Sequence, residues 1–434
     1  MPQNYICNSN EYNILGGGDV LIDIWLKQNI GELITSHLGE RSPRAEYSFA
    51  DAFLSLFISR CRDNNRIEHF KEAGESLKNH RRFKTAMSPD SYLYMSKELA
   101  LPKQLIRIDT EVDTNAQRSN KERYQDHEIV VIDKLNELMV DAAIKFKLFD
   151  FENEYIMDFD TTEIKTKIKD ARRYYDGNGK RAYCPAVAMI NNIPVYIENR
   201  NGNTNASFNI VNTIKAALDL VSKKGIKIYM IRVDSAAFTK EFVEFINASN
   251  LKFITRAKSP TVQAQIHKIK NWEKTCFKNE IDSTGDTVFA YGKEKTRLIV
   301  RSKSKPTINK EGKETKDWGL ATNDFESPNE DIINTYGLRG DSENLFSSLN
   351  DFGWDMLPMR KIEFNTVYLY FTAFNYIVYR FMTRLIGSEL PSVNERMEIE
   401  TFNKIFMRIA TEWIGESLSF AKSKSEYAKL SGFT

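Results

Sequence analysis

Between Tyr155 and Lys258 the hydrophobic period switches from helical to alternating and back, and this switch restricts the possible folds more than any other feature of the 434-residue chain. The stretch YIMDFDTTEI from Tyr155 alternates apolar and polar residues and reads as a strand. Two apolar runs, YCPAVAMI from Tyr183 and IPVYIENR from Ile193, flank Asn191-Asn192. Asparagine tolerates the positive φ that tight hairpin turns require, so the two runs read as a hairpin. Residues 205–223 then carry a helical pattern, KIYMIRVDS from Lys227 a strand, 239–247 a helix, and KFITRAK from Lys252 a strand.

The resulting order is β-β-β-α-β-α-β. Three antiparallel strands followed by βα units give an α/β fold, and the order is that of a ribonuclease-H-like core. It predicts a core in two parts, residues 151–258 and 326–386, separated by a basic β-rich insertion at 259–325. Residues 1–108 are predicted to be a helical DNA-binding region, with Asp19 as a helix cap and an apolar helix over 49–58. Within this region Lys78-Asn79-His80-Arg81-Arg82-Phe83-Lys84 forms a basic turn between a short helix and one opening at Ser88-Pro89. That order suits phosphate contacts by Arg81, Arg82 and Lys84, while a small helical bundle with a solvated charge run is the plainer alternative. Residues 109–150 read as a polar linker or exposed helix followed by an amphipathic helix over 129–146, and 387–434 as a C-terminal helical region. The apolar stretch 367–386 is interrupted by Asn375, Arg380 and Arg384 and reads as a buried core helix rather than a membrane span.

Charge is segregated rather than abundant. The chain totals only +2, yet residues 251–316 hold 16 Lys/Arg against 7 Asp/Glu, a net of +9 that leaves about −7 elsewhere. Such a concentration, including Lys293, Lys295, Arg297 and Arg301, favours a nucleic-acid surface over a solvated loop region. Cys7, Cys61, Cys184 and Cys276 are far apart, and the first ten residues lack the pattern of a secretory signal. The reading is a cytoplasmic protein without a disulfide frame. The five histidines form no zinc-ligand spacing, so any metal would rest on carboxylates.

Three acidic residues occupy telling places. Asp160 lies on the first core strand, with Asp158 on the same face; Asp234 ends a strand expected to be parallel, where side chains reach the ligand-binding edge of a sheet. Glu343 lies beyond Ser327-Pro328-Asn329-Glu330, which reads as a capping box with Pro at the first helical position. In one continuous helix Tyr336, Arg339 and Glu343 would share a face, although Gly337 and Gly340 weaken that continuity.

These stretches, MDFDTTEI, YIENRNGN, IRVDSAAF, KFITRAK and YGLRGDSENLFSSLNDFGWDMLP, resemble in order the DDE-type transposases of bacterial insertion sequences. The similarity runs from about residue 65 to 386 and is greatest to the family-four-like class with a β-rich insertion, especially the thirteen-eighty family. It implies Asp160, Asp234 and Glu343 as catalytic, metal-holding residues for two Mg²⁺ ions, with Mn²⁺ as a substitute. Tyr336 and Arg339 match a Tyr-x2-Arg-x3-Glu-x6-Lys signature whose Lys position is Asn350 here; the phosphate contact assigned to that Lys then falls to Lys361 or Arg360, or is absent. Tyr336, Arg339 and Arg200 become candidate phosphate contacts, and Trp318 a candidate for stacking on a base that has left the duplex. The implied partners are double-stranded DNA, both terminal inverted repeats and target, and a second copy in a homodimeric synaptic complex, with no membrane. The implied activity is cut-and-paste transposition in a bacterial-type, nucleoid-associated setting. A structure-specific nuclease and a domesticated, inactive DNA-binding relative are the alternatives.

Overall fold

In a computed structural model the described residues are 17–61, 87–109, 124–174, 179–277, 280–308, 314–407, 411–414 and 417–420. Helices α1 (Gly17–Lys27), α2 (Ile30–Leu38), α3 (Phe49–Arg60) and α4 (Pro89–Leu99) open the chain. Local chemistry explains the starts of two of them. Ser48 and Asp51 form a reciprocal capping box at α3, and Ser88 caps α4 ahead of Pro89. Asp19 lies inside α1 and is buried, so it does not cap that helix. Arg81, Arg82 and Lys84 lie outside the described residues.

Of the expected linker, residues 110–123 lie outside the described residues; on either side of them β1 (Gln104–Asp109) pairs with β2 (Tyr124–Val130), and α5 (Asp133–Lys145) follows. The polar sequence conceals β2, whose His127, Glu128, Ile129 and Val130 are buried where it pairs with the strand Ile193–Arg200. The core strands are β3 (Glu154–Thr161), β4 (Ile164–Thr166), β5 (Arg181–Tyr183), β6 (Ala186–Ile190) and β7 (Ile193–Arg200). Asn191 and Asn192 take φ of 51° and 63° in the β6–β7 hairpin, as the sequence predicts. Helix α6 (Ile210–Lys223), β8 (Lys227–Val233), α7 (Lys240–Ala248, capped by Thr239) and β9 (Lys252–Arg256) complete the alternation. Short helix α8 (Ser259–Gln265) leads to β10 (Glu273–Phe277), β11 (Glu280–Tyr291), β12 (Glu294–Ile308) and β13 (Glu314–Thr322).

Apart from β4 and β5, which pair with each other, these strands form one mixed, 11-stranded sheet in the order β1-β2-β7-β6-β3-β8-β9-β13-β12-β11-β10. Strands β3, β8 and β9 are mutually parallel. The basic segment therefore continues the sheet, because β13 pairs antiparallel with β9. After it come α9 (Asn329–Gly337), α10 (Gly340–Asp351), the buried 28-residue α11 (Ile362–Glu389) and α12 (Ile399–Phe402). The expected C-terminal helical region is strand over its described end, as β14 (Thr411–Ile414) pairs with β15 (Ser417–Phe420). No helix among the described residues is long and apolar enough to cross a membrane.

The main core joins α1–α7, α10, α11, strands β6 and β7, and the face of β3 and β8 that carries Met157, Phe159, Ile231 and Val233. On the other face a smaller cluster, Met230, Ile254, Ile299, Leu320, Ile332 and Ile333, seats α9 against β8, β9, β12 and β13. Burying these six apolar side chains, at roughly 1.5–3 kcal/mol each, fixes where the far end of α9 stands over the sheet.

Candidate functional site

Side-chain alternation sets three tiers on the face covered by α9. The apolar tier is Ile156 and Met230, level in the β3–β8 register; Ile254 of β9 stands level with Arg232, and Leu320 and Ile299 stand level with Arg256. Two residues along β3 and β8 comes a charged tier, Asp158 and Arg232, level in the strand register. Two further residues bring Asp160 and Asp234 to the carboxyl edge of β3 and β8. The register Phe159↔Val233 sets them side by side, at about the 4.8 Å spacing of neighbouring strands. The same alternation brings Arg256, Trp318 and Arg301 to that edge from β9, β13 and β12.

The two aspartates of β3 differ in environment. Asp158 is buried and accepts two hydrogen bonds from Arg232, at 2.7 and 2.6 Å, while Arg232 also donates to the Thr335 carbonyl at 2.5 Å. Asp160 is half-buried; its Oδ2 accepts from Arg339 Nη2 at 2.7 Å and its Oδ1 from the Thr161 amide at 2.9 Å. Burial pushes the Asp160 carboxyl up to about 6, with the Asp234 and Asp158 charges adding to it and Arg339 opposing. Burial also raises the Tyr336 phenol, on which Arg339, Asp234, Arg256 and Asp160 all act. These mutual effects identify Asp160, Asp234, Tyr336, Arg339 and Arg256 as one electrostatic cluster.

The helix expected to carry Tyr336, Arg339 and Glu343 is two helices. Helix α9 ends at Gly337 and α10 starts at Gly340, so Leu338 and Arg339 form a break. The predicted capping box at Ser327 is also absent. The Ser327 hydroxyl instead donates to Asp324 Oδ2 at 2.7 Å, and Pro328 starts α9 with no side-chain cap. Glu343 lies in α10, but its side chain is outside the described residues. Among the described residues no group of three or more His, Cys, Asp or Glu could hold a metal, leaving the Asp160–Asp234 pair.

Beside this pair lies a cavity of about 400 Å³ lined by Arg256, Ala257, Ser259, Val262, Arg301, Lys303, Lys316, Asp317, Trp318 and Tyr336. Trp318 is half-buried, with the Arg301 guanidinium 6.0 Å from its ring centre; Trp354 is fully buried and Trp272 is exposed. Of the predicted basic residues, Arg301 is at the cavity, tied to Asp282 at 2.6 Å. Arg200 and Arg297 cannot serve as surface phosphate contacts as they stand. Arg200 is fully buried and donates to Glu198 and Thr213. Arg297 is buried and bonds Asp286, the Asp324 and Ser327 carbonyls and Asn329. Lys293 and Lys295 are exposed but sit at the opposite end of the sheet, roughly 20 Å along β12 from Arg301. Arg256, Lys303 and Lys316 are cavity residues that the sequence pattern did not single out. Arg256 had a detectable signal, since it ends β9 much as Asp234 follows β8.

The chain matches the family described as Transposase DDE domain group 1 over residues 68–417. Among solved structures it is similar to a piggyBac transposase synaptic complex with hairpin DNA, at 12% identity and a TM-score of 0.43, over 89% of this chain and 77% of that one. A comparison with curated proteins finds no match. The family match spans most of the chain, including both aspartates, the basic strands and the α9–α10 break, and on it the protein belongs to the DDE transposases, a family of DNA-cleaving enzymes.

Proposed function

We propose that this transposase binds the terminal inverted repeats of its own insertion sequence, cleaves the DNA ends and joins them to target DNA, using a ribonuclease-H-like core of the thirteen-eighty type. The observation that carries the reading is the Asp160–Asp234 pair at the carboxyl edge of parallel strands, next to Tyr336, Arg339 and a basic, tryptophan-walled cavity.

The donor set fits hard divalent cations. It offers carboxylate oxygens alone, and burial together with neighbouring acids makes the second negative charge costly without a cation. Asp160 and Asp234 would hold the ions, with Glu343 as the third ligand. When bound, two Mg²⁺ ions activate the attacking oxygen and stabilise the leaving one. The chain's own residues account for the rest. Tyr336 and Arg339 orient the scissile phosphate, and the Arg339 guanidinium suits two phosphate oxygens at once. Arg256, Lys303 and Lys316 draw the flanking backbone toward the edge, and Trp318 offers a ring face to an unstacked base. Two chains in a synaptic complex would bring two DNA ends together.

The test is strand cleavage and strand transfer on duplexes carrying the element's ends in Mg²⁺. Asp160→Asn, Asp234→Asn and Glu343→Gln should each lose cleavage by about 10³-fold or more, the equivalent of several kcal/mol of charge stabilisation, while end binding compared without divalent cation stays near wild type. A variant that cleaves normally overturns the role of that residue. Cleavage by the wild type with no joining overturns the transposition reading in favour of a nuclease.

A further inference from the structure

Asp160 is already engaged by a cation of the protein itself. Its Oδ2 lies 2.7 Å from Arg339 Nη2, and its Oδ1 accepts the Thr161 amide. A divalent ion on this carboxylate would meet the guanidinium charge within a few ångströms, so the two cations compete for the same oxygens. Asp158, two residues back, has the same type of partner in a different setting. Arg232 holds it through two bonds in a buried pair and is itself tied to the Thr335 carbonyl, which leaves no route for exchange. Arg339 has such a route. It sits in the break between α9 and α10, flanked by Gly337 and Gly340, and an added Cβ at either glycine would meet nothing within 4 Å. The adjoining Leu338 is exposed. The helix bodies are anchored separately, α9 by Ile332 and Ile333 and α10 by Leu345 and Leu349. The Arg339 side chain can therefore re-aim while both helices stay packed.

We infer that Arg339 is a latch that holds Asp160 away from divalent cations until a DNA phosphate takes the guanidinium in exchange. The inference rests on the proposed metal site. Arg339 acts here as a positioning residue, making cation uptake conditional on DNA and sparing the free protein from holding a loaded, cleavage-ready site. Because the coupling is thermodynamic, it is reciprocal: DNA strengthens cation binding by the same factor by which the cation strengthens DNA binding, with about 5–150-fold as the usual range.

The experiment titrates the full-length protein with Mn²⁺ alone, read by electron paramagnetic resonance. It is repeated with a blunt DNA duplex of arbitrary sequence, subtracting a duplex-only blank. Wild type should bind Mn²⁺ weakly, and tighter by a factor in that range once DNA is present. Arg339→Gln should bind Mn²⁺ tightly without DNA and gain little from it, a gain of function that mere structural damage would not produce. Arg339→Lys, which keeps a point charge in reach of Asp160, should retain the wild-type dependence. The latch is overturned if folded Arg339→Gln protein binds Mn²⁺ no tighter than wild type. It is equally overturned if wild-type Mn²⁺ affinity ignores DNA, which requires no variant. If adding Asp160→Asn to Arg339→Gln leaves Mn²⁺ binding unchanged, the ion does not use Asp160 and the underlying site assignment fails with the latch.

Discussion

Asp158 and Asp160 stand two residues apart on the same face of one strand, and each pairs with an arginine, yet the pairs have opposite characters. The side chains of Asp158 and Arg232 are 4% and 8% exposed, and the arginine also reaches α9. Those of Asp160 and Arg339 are 19% and 12% exposed and meet through Nη2 and Oδ2 at the open edge, with the arginine on a helix break. A buried ion pair with all its donors engaged fixes a geometry, because removing either partner strands the other charge away from water. A pair at an edge can trade partners. Depth in the sheet, rather than residue type, separates the aspartate locked in a buried pair from the one at the open edge.

The largest expected effect tests that contrast directly. Asp158→Asn should destabilise the protein by about 3–5 kcal/mol by leaving Arg232 without its counter-charge, whereas Asp160→Asn should change stability by only about 1 kcal/mol or less. Denaturant melts of the two variants decide it, and equal losses would erase the distinction between the pairs.

The same contrast between fixed and available charge sorts the basic residues. Arg256→Gln with Lys316→Gln should lower the slope of log DNA affinity against log salt by about 0.9 for each phosphate no longer neutralised, whereas Lys293→Gln with Lys295→Gln should leave it unchanged. Filter binding across a salt series measures both slopes. A fall only in the second pair would move the DNA to the far end of the sheet.

At the cavity, Trp318→Ala should slow the later cleavage or joining step more than the first nick, by the equivalent of about 1–3 kcal/mol, with little change in melting temperature. Equal slowing of both steps would make Trp318 a packing residue against the cluster beneath it.

The smallest effect concerns a fixed charge at the opposite end. Burial pushes the Asp324 carboxyl up, but Lys252 and hydrogen bonds from Ser327 and Glu326 outweigh it and hold it at about 2. The folded carboxyl thus gives up its proton more readily than the unfolded one, at about 3.9. Its stabilisation is present above about pH 4 and is lost as pH falls toward 2. Asp324→Asn should flatten the melting temperature against pH in that window, and an unchanged acid limb would show that the Lys252 contact adds nothing.

Period and strand-end position in the sequence were enough to locate Asp160 and Asp234, because alternation and the parallel βα order are local properties that survive folding. The Asn191-Asn192 hairpin and the buried α11 were legible for the same reason. Other features were decided by contacts distant in sequence. Asp324 captures Ser327 and so removes the capping box. Strand β2 forms in a stretch that reads as polar because it pairs with β1 and with the distant β7, which buries its end. Arg200 and Arg297 look like surface charges in sequence and are buried by partners on neighbouring elements. The basic segment read as an insertion, and only its pairing with β9 showed that it extends the sheet and brings Arg256, Arg301 and Trp318 to one edge. Which aspartate lies deep and which lies at the edge beside the α9–α10 break was likewise decided by packing. One strand writes Asp158 and Asp160 alike, and only packing around them makes their charges differ.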